Sequence, residues 1–227
     1  EFILLFIFII FFISFFSKIK IKNLLIIVIA TTIVLSPYLV RNLLVFNQFT
    51  ITKSVGINLW KGNNPRAGVE GKNYIHREMT ITSYNSVNNL ELDLDEQTLV
   101  KQISEVSKNK YFEINVDKIF FQEAIKNIKS KPIKYFKLYL KKMISFIFID
   151  LNSSYPNYYH PLHFLPILLI GITSITGIVL SNKNSYQMNF LILFFVVNIA
   201  IVSVFFVLPR YKLAILGFQI IFSNILF

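Results

Sequence analysis

The chain has 227 residues, of which 54% are hydrophobic and 15% are charged, and its mean hydropathy is +0.57. This composition excludes an ordinary water-soluble domain, because the apolar residues form long uninterrupted runs instead of the spacing of a buried core. The absence of cysteine excludes disulfides, thiolate metal sites and cysteine nucleophiles, and the net charge of +11 favours lipid headgroups over nucleic acid as the partner.

The apolar runs predict membrane-spanning helices. A helix rises about 1.5 Å per residue, so about 20 apolar residues cross a hydrocarbon core of roughly 30 Å. The first and last runs are short, and we expect them to be truncated spans in a fragment of a longer protein. The predicted fold class is an all-α polytopic membrane protein with about five transmembrane helices and a mainly α external segment. The runs cover residues 2–16, 24–40, 164–180, 190–208 and 213–227.

The loop between the first two runs predicts the orientation. Residues 17–23 contain three lysines and no acidic residue, and the positive-inside rule places such a loop in the cytoplasm. Alternation then makes residues 1–40 two transmembrane helices with a cytoplasmic loop, residues 41–163 an external segment, and residues 164–227 three transmembrane helices.

The external segment divides into two parts. Residues 48–89 are rich in Asn, Thr, Ser and Gly, which predicts loops and a short β hairpin that includes the β-prone residues 49–52. From Asp93 the pattern becomes helical, because Asp93 and Glu96 have the spacing of a capping pair. A second helix is predicted from about Val116.

A third external helix is predicted over residues 132–148. Pro132 suits its first turn, since proline has a fixed φ and no N–H to satisfy there. Lys134, Lys137 and Lys141 lie on one side at helical spacing, beside an apolar body. This pattern predicts an interfacial helix with its lysines toward the lipid headgroups.

Two arginines are candidates for binding phosphate. Arg41 and Arg210 stand at the predicted outer ends of spans, where a guanidinium can donate paired hydrogen bonds to phosphate oxygens. The adjacent Asn42 and Tyr211 favour a binding role. The alternative is that each arginine anchors a helix end at the interface.

A polar stretch after the second span contains candidate sugar-binding residues. The amides of Asn58, Asn63 and Asn64 can bind sugar hydroxyls, and Trp60 can stack on a sugar ring. The alternatives are structural. Gly-Asn and Asn-Pro pairs form turns, and a tryptophan near a span is commonly an interface anchor.

Two other clusters are predicted to be structural. His160 and His163 have a spacing that can ligate a metal, but without a third clustered ligand we expect an interface anchor and no metal site. Residues 91–96 hold four carboxylates, and their alternation with Leu predicts a solvated helix start instead of a catalytic base.

Several short motifs follow one another between the second span and the end of the chain. They are Ser36-Pro37-Tyr38-Leu39-Val40-Arg41-Asn42, Gly56-Ile57-Asn58-Leu59-Trp60-Lys61-Gly62-Asn63-Asn64-Pro65, residues 124–142 with Pro132 and Tyr135, and Arg210-Tyr211. Their order and spacing resemble those of the bacterial membrane glycosyltransferases of family 39 and their C-type relatives, which use polyprenyl-phosphate sugars.

The resemblance implies an enzyme that moves a sugar from a polyprenyl-phosphate donor to an envelope acceptor, at the outer face of a bacterial inner membrane. It implies membrane lipid and the lipid-linked sugar donor as partners. No cofactor besides this donor substrate is identified from the sequence. In the family the catalytic carboxylate lies in the first external loop, which no position here matches. We therefore expect it upstream of residue 1 and expect the fragment alone to be inactive. The implied substrate-binding residues are Arg41, Asn42, Asn58, Trp60, Asn63, Asn64, Arg210 and Tyr211.

Two other classes of membrane protein share parts of this pattern. A transporter or lipid-flipping component would have ionisable groups within its spans, whereas the runs here are interrupted mainly by Ser, Thr and Asn. An O-antigen polymerase or ligase would share the spans and the large external loop but lack the Arg-Asn and Gly-Asn-Asn-Pro motifs. The glycosyltransferase is therefore the preferred hypothesis.

Overall fold

A computed structural model shows helices and no strand in the residues that it describes. These are residues 21–51, 54–76, 79–88, 91–106, 108–181 and 185–226. The predicted first span and residues 17–20 of the lysine loop lie outside them. The α-helices are α1 Ile21–Phe46, α2 Val55–Asn63, α3 Ile81–Asn88, α4 Leu94–Val106, α5 Phe112–Ser130, α6 Pro132–Ile147, α7 Pro161–Leu180, α8 Tyr186–Ser203 and α9 Leu213–Ser223, and 3₁₀ turns cover Pro209–Lys212 and Asn224–Leu226.

Three helices are long and apolar enough to cross a membrane, namely Leu25–Phe46 of α1, α7 and α8. At most 17% of the residues in each apolar window are buried within the protein, as expected of faces that meet lipid. The predicted all-α class is confirmed for the described residues, and three of the five predicted spans coincide with helices that have the length and apolar composition of a span. The last predicted span forms only the 11 residues of α9, which rise about 16 Å and are too short to cross the bilayer alone.

The region between residues 48 and 89 differs from the prediction. It contains helices α2 and α3, and its described residues include no strand, so the predicted β hairpin is wrong for them. Six of the nine residues of α2 are buried. Burial against the rest of the fold therefore outweighs the turn-forming composition of this stretch.

The chain divides into two compact units. Among the described residues, unit 1 consists of residues 66–71 and 131–226, and unit 2 of residues 21–65 and 72–130. The membrane boundaries expected near residues 40 and 163 stay predictions.

Unit 2 is held together by the packing of α2 and α4 on α5. Phe120 and Ala124 of α5 are completely buried, and so is Ile103 of α4. The predicted capping pair is confirmed. The Asp93 N–H donates to Glu96 Oε2 at 3.1 Å, and the Glu96 N–H donates to Asp93 Oδ1 at 2.8 Å.

Unit 1 has an apolar core to which α6, α8, α9 and the 204–208 connection contribute. Its buried members are Phe146, Phe195, Ile199, Val207, Ile215 and Phe222. Helices α7 and α9 meet at Gly177, where an added Cβ would lie 1.8 Å from the Phe222 carbonyl oxygen. Residues 66–71 join this unit through the Val207 N–H, which donates to the Val69 carbonyl at 2.9 Å.

Candidate functional site

Arg41 and Asn42 lie near the end of α1, which continues to Phe46. Asn42 is fully buried, and its Nδ2 donates to the Thr50 carbonyl at 2.7 Å. Its Oδ1 accepts a hydrogen bond from Arg41 Nη1 at 3.2 Å. Asn42 therefore ties the departing chain back onto α1 and orients the guanidinium of Arg41, whose side chain is exposed.

The polar stretch over residues 56–65 forms part of the interior of unit 2. Trp60 is completely buried between the rings of Tyr74 and Phe120, with centroids 5.1 and 4.8 Å away. Asn63 and Asn64 are also buried, and their Nδ2 atoms donate to the carbonyls of residues 59 and 72 at 2.8 and 2.7 Å. These three side chains have structural partners. Asn58 is half-buried, and its Nδ2 donates to the Ser54 hydroxyl at 3.5 Å.

Asp117 of α5 makes a contact that the sequence pattern did not indicate. Its carboxylate oxygens accept from the backbone N–H groups of Gly56 and Ile57 at 3.0 and 2.9 Å. The contact satisfies two of the free donors at the start of α2. A Cβ at Gly56 would lie 1.9 Å from the Asp117 carbonyl oxygen, so glycine permits this approach. The partners are 61 residues apart, which no local pattern reveals.

Arg210 lies in the 3₁₀ turn before α9, within unit 1. Its side chain is exposed, and its guanidinium carbon lies 5.5 Å from the centroid of the Tyr211 ring. The Tyr211 ring is half-buried, with its centroid 5.9 Å from that of Phe206. This cation–π contact holds the guanidinium at the surface, where it can donate to an anion.

Lys212, two residues further on, is buried instead. Its Nζ donates to the Phe148 carbonyl and to the Tyr158 hydroxyl, the latter at 3.2 Å. Burial lowers the pKa of Lys212 to about 8, and the Asp150 carboxylate partly opposes that shift. Burial also raises the pKa of the Tyr158 hydroxyl, which accepts from the Asp150 N–H at 2.9 Å.

The connection between α6 and α7 is held in place by its own side chains and by Glu70. The Tyr159 hydroxyl accepts from the Ser153 N–H at 2.7 Å and donates to the Asp150 carbonyl at 3.1 Å. The Glu70 carboxylate accepts from the hydroxyls of Ser153 and Ser154. This loop is therefore pre-organised, a property that lowers the entropic cost of binding.

A pocket of about 490 Å³ lies at the start of α7. Its lining includes the buried Tyr158, whose ring centroid lies 5.5 Å from that of His163. Aromatic faces combined with imidazole and amide groups suit a ligand with apolar faces and hydroxyl groups, such as a sugar. The lining residues are Tyr155, Pro156, Asn157, Tyr158, His160, Leu162, His163 and Pro209.

The residues suggested by the sequence do not belong to one unit. Unit 2 holds Arg41, Asn42 and the 56–65 stretch, and unit 1 holds Arg210 and Tyr211. Sequence reasoning missed Lys212 and Tyr158, because the alternation of an exposed and a buried cation within one turn is not visible in the pattern Arg-Tyr-Lys.

Comparisons of the chain with protein families, characterised proteins and solved structures found no match. Its function is therefore inferred from its own residues and their geometry.

Proposed function

We propose that the chain is part of an integral membrane glycosyltransferase. It transfers a sugar from a polyprenyl-phosphate donor to an envelope acceptor at the outer face of a bacterial inner membrane. The observation that carries the proposal is the exposed Arg210, which directly follows Pro209 in the wall of the tyrosine- and histidine-lined pocket at the start of α7. The order of motifs that resembles family 39 supports it further.

The chemistry of this region suits the parts of such a donor. The Arg210 guanidinium can donate two parallel hydrogen bonds to phosphate oxygens. The exposed ring of Tyr155 can pack on the sugar ring, and Asn157 can bond its hydroxyls. The apolar sides of α7 and α8 are exposed, so the isoprenoid tail of a donor bound beside them stays in contact with the lipid of the bilayer.

Arg210 and the pocket act in binding and not in proton transfer. The resemblance assigns the acidic base to a first external loop that has no counterpart in this sequence. Binding of the donor lipid is therefore the appropriate readout for this chain.

The Arg210→Ala variant is expected to bind undecaprenyl phosphate about tenfold or more weakly than the unchanged protein, because a charge-assisted hydrogen bond contributes about 1.5–3 kcal/mol. Affinity can be measured by native mass spectrometry of the detergent-solubilised protein. Undecaprenol, which lacks the phosphate, should bind both proteins equally.

The matched control is Lys118→Ala, which removes an exposed cation from α5. This variant should bind undecaprenyl phosphate as the unchanged protein does. Equal affinity of the Arg210→Ala variant and the control would contradict the phosphate role of Arg210.

The proposed orientation predicts opposite labelling of two introduced cysteines. The chain has no cysteine of its own, so a label reports only on an introduced cysteine. The two variants are Lys110→Cys, at an exposed position before α5, and Gln187→Cys, at an exposed position in the first turn of α8. In spheroplasts an impermeant maleimide should label Lys110→Cys and should reach Gln187→Cys only after lysis. The reverse pattern would overturn the placement of residues 41–163 on the outside.

A further inference from the structure

Helix α6 uses one face to pack inside unit 1. Tyr135, Lys142 and Phe146, spaced at seven and four residues, are all buried. Phe146 belongs to the core cluster, together with Phe195 and Ile199 of α8. This face is therefore occupied by the protein itself.

The opposite face of α6 carries exposed apolar side chains. Ile133, Phe136, Leu140 and Ile144 are 71, 61, 42 and 58% exposed. Their spacing of three, four and four residues places them in one stripe along the helix. We call these four residues the outer stripe. Four large apolar side chains in a continuous row are unfavourable in water.

A row of lysines runs beside the outer stripe. Lys134, Lys137 and Lys141 are exposed and spaced by three and four residues, so they flank the stripe on one side. The sequence of α6 contains no acidic residue. The surface next to the stripe therefore suits an anionic partner.

The contacts of α6 locate it at the end of a candidate span. The Tyr139 hydroxyl donates to the Ala200 carbonyl at 3.1 Å, close to the C-terminal end of α8, and Lys142 Nζ donates to the Phe205 carbonyl at 2.6 Å. The far end of α6 approaches the middle of α7, since a Cβ at Gly171 would lie 2.9 Å from the Ile147 carbonyl oxygen. The middle of α6 thus lies at the level where α8 ends, and its C-terminal part descends along the spans.

We propose that α6 docks obliquely in one leaflet of the membrane, with its outer stripe among the acyl chains and its lysine row bound to anionic headgroups such as phosphatidylglycerol. The occupant is lipid because the bilayer that surrounds α7 and α8 reaches the C-terminal half of α6, and because apolar and cationic side chains lie side by side as at a headgroup boundary. The inference does not depend on the proposed activity.

Spin labels on single introduced cysteines test the docking. The variants are Ile133→Cys, Phe136→Cys, Leu140→Cys and Ile144→Cys, with Phe121→Cys as the control because it replaces a 43% exposed apolar residue of α5. In nanodiscs that contain phosphatidylglycerol, labels in the outer stripe should be accessible to oxygen and shielded from a water-soluble nickel chelate. Their depth should increase from position 133 to position 144, and the label at position 121 should behave as exposed to water.

Two results would overturn the docking. Access of the nickel chelate to the outer stripe, equal to that at position 121, would place the stripe in water. Shielding from both oxygen and the chelate would mean that a second copy or another protein covers it.

The lysine row is tested by lipid selection. In nanodiscs with equal phosphatidylglycerol and phosphatidylcholine, native mass spectrometry should show preferential retention of phosphatidylglycerol. Combined Lys134→Gln, Lys137→Gln and Lys141→Gln substitutions should lower that preference by at least about fivefold, the effect expected of one lysine at an anionic surface. The control replaces three exposed lysines of α4 and α5, Lys101, Lys118 and Lys129, and should leave the preference unchanged. An unchanged preference in the first variant would refute the anionic partner.

Discussion

Gly177→Ala is expected to lower the free energy of unfolding by about 2–3 kcal/mol, the usual effect of overpacking a tight contact. The added Cβ would lie 1.8 Å from the carbonyl oxygen of Phe222. That oxygen is a backbone atom and cannot rotate away, so α7 and α9 must separate. Separation also breaks the hydrogen bond between the hydroxyls of Thr173 and Ser223, which are 2.8 Å apart.

The loss of stability can be measured by SDS titration followed by far-ultraviolet circular dichroism. A local readout is disulfide formation between Thr173→Cys and Ser223→Cys in this cysteine-free chain, which Gly177→Ala should prevent. Gly217→Ala in α9 is the matched control, because a Cβ there meets nothing within 4 Å. Its expected effect is a gain of up to about 1 kcal/mol from helix propensity. Equal stabilities of the two variants would contradict the close helix contact.

The stability of the protein is expected to rise with pH between about pH 7 and 10.5. Burial lowers the pKa of Lys142 from its ordinary value of 10.5 to about 7. In that window the unfolded chain binds a proton that the folded chain does not, so raising the pH favours folding. Below pH 7 Lys142 is charged in both the folded and the unfolded state, and its contribution to the free energy of unfolding stays at its least favourable value. The full effect is a few kcal/mol, because each pKa unit corresponds to about 1.4 kcal/mol.

Lys142→Met should therefore raise the free energy of unfolding at pH 7 by about 1–3 kcal/mol and flatten the pH dependence. The slope that remains above about pH 8 belongs to Lys212, whose pKa burial also lowers. Thermal unfolding in detergent at several pH values measures both effects. The control Lys101→Met removes an exposed lysine of α4 and should keep the original slope. An unaltered slope in the Lys142→Met variant would show that another group titrates.

The candidate site illustrates how far local patterns can reach. Arg210 and Tyr211 stand out in the sequence as a cation and an aromatic ring at the end of an apolar run, and the structure places them together at the surface. Trp60 stands out equally, but it is buried between Tyr74 and Phe120. Exposure decides whether an aromatic ring can meet a ligand, and exposure depends on residues far away in the chain.

Features that depend on neighbouring residues can be predicted from the amino-acid sequence. Spans form where about 20 successive residues are apolar, because a helix satisfies its own backbone hydrogen bonds in lipid. The capping of α4 by Asp93 and Glu96 needs only a spacing of three residues, and Pro132 marks the first turn of α6 in the same way.

Which side chains are buried and which remain exposed depends on the packing of the whole fold. It divided the apolar residues of α6 between a core face and the outer stripe, buried Lys212 while leaving Arg210 exposed, and brought Asp117 to the start of α2. Each of these outcomes depends on contacts between residues distant in the chain. Such contacts follow from the close packing of whole helices, and the periodicity of a single segment does not predict that packing.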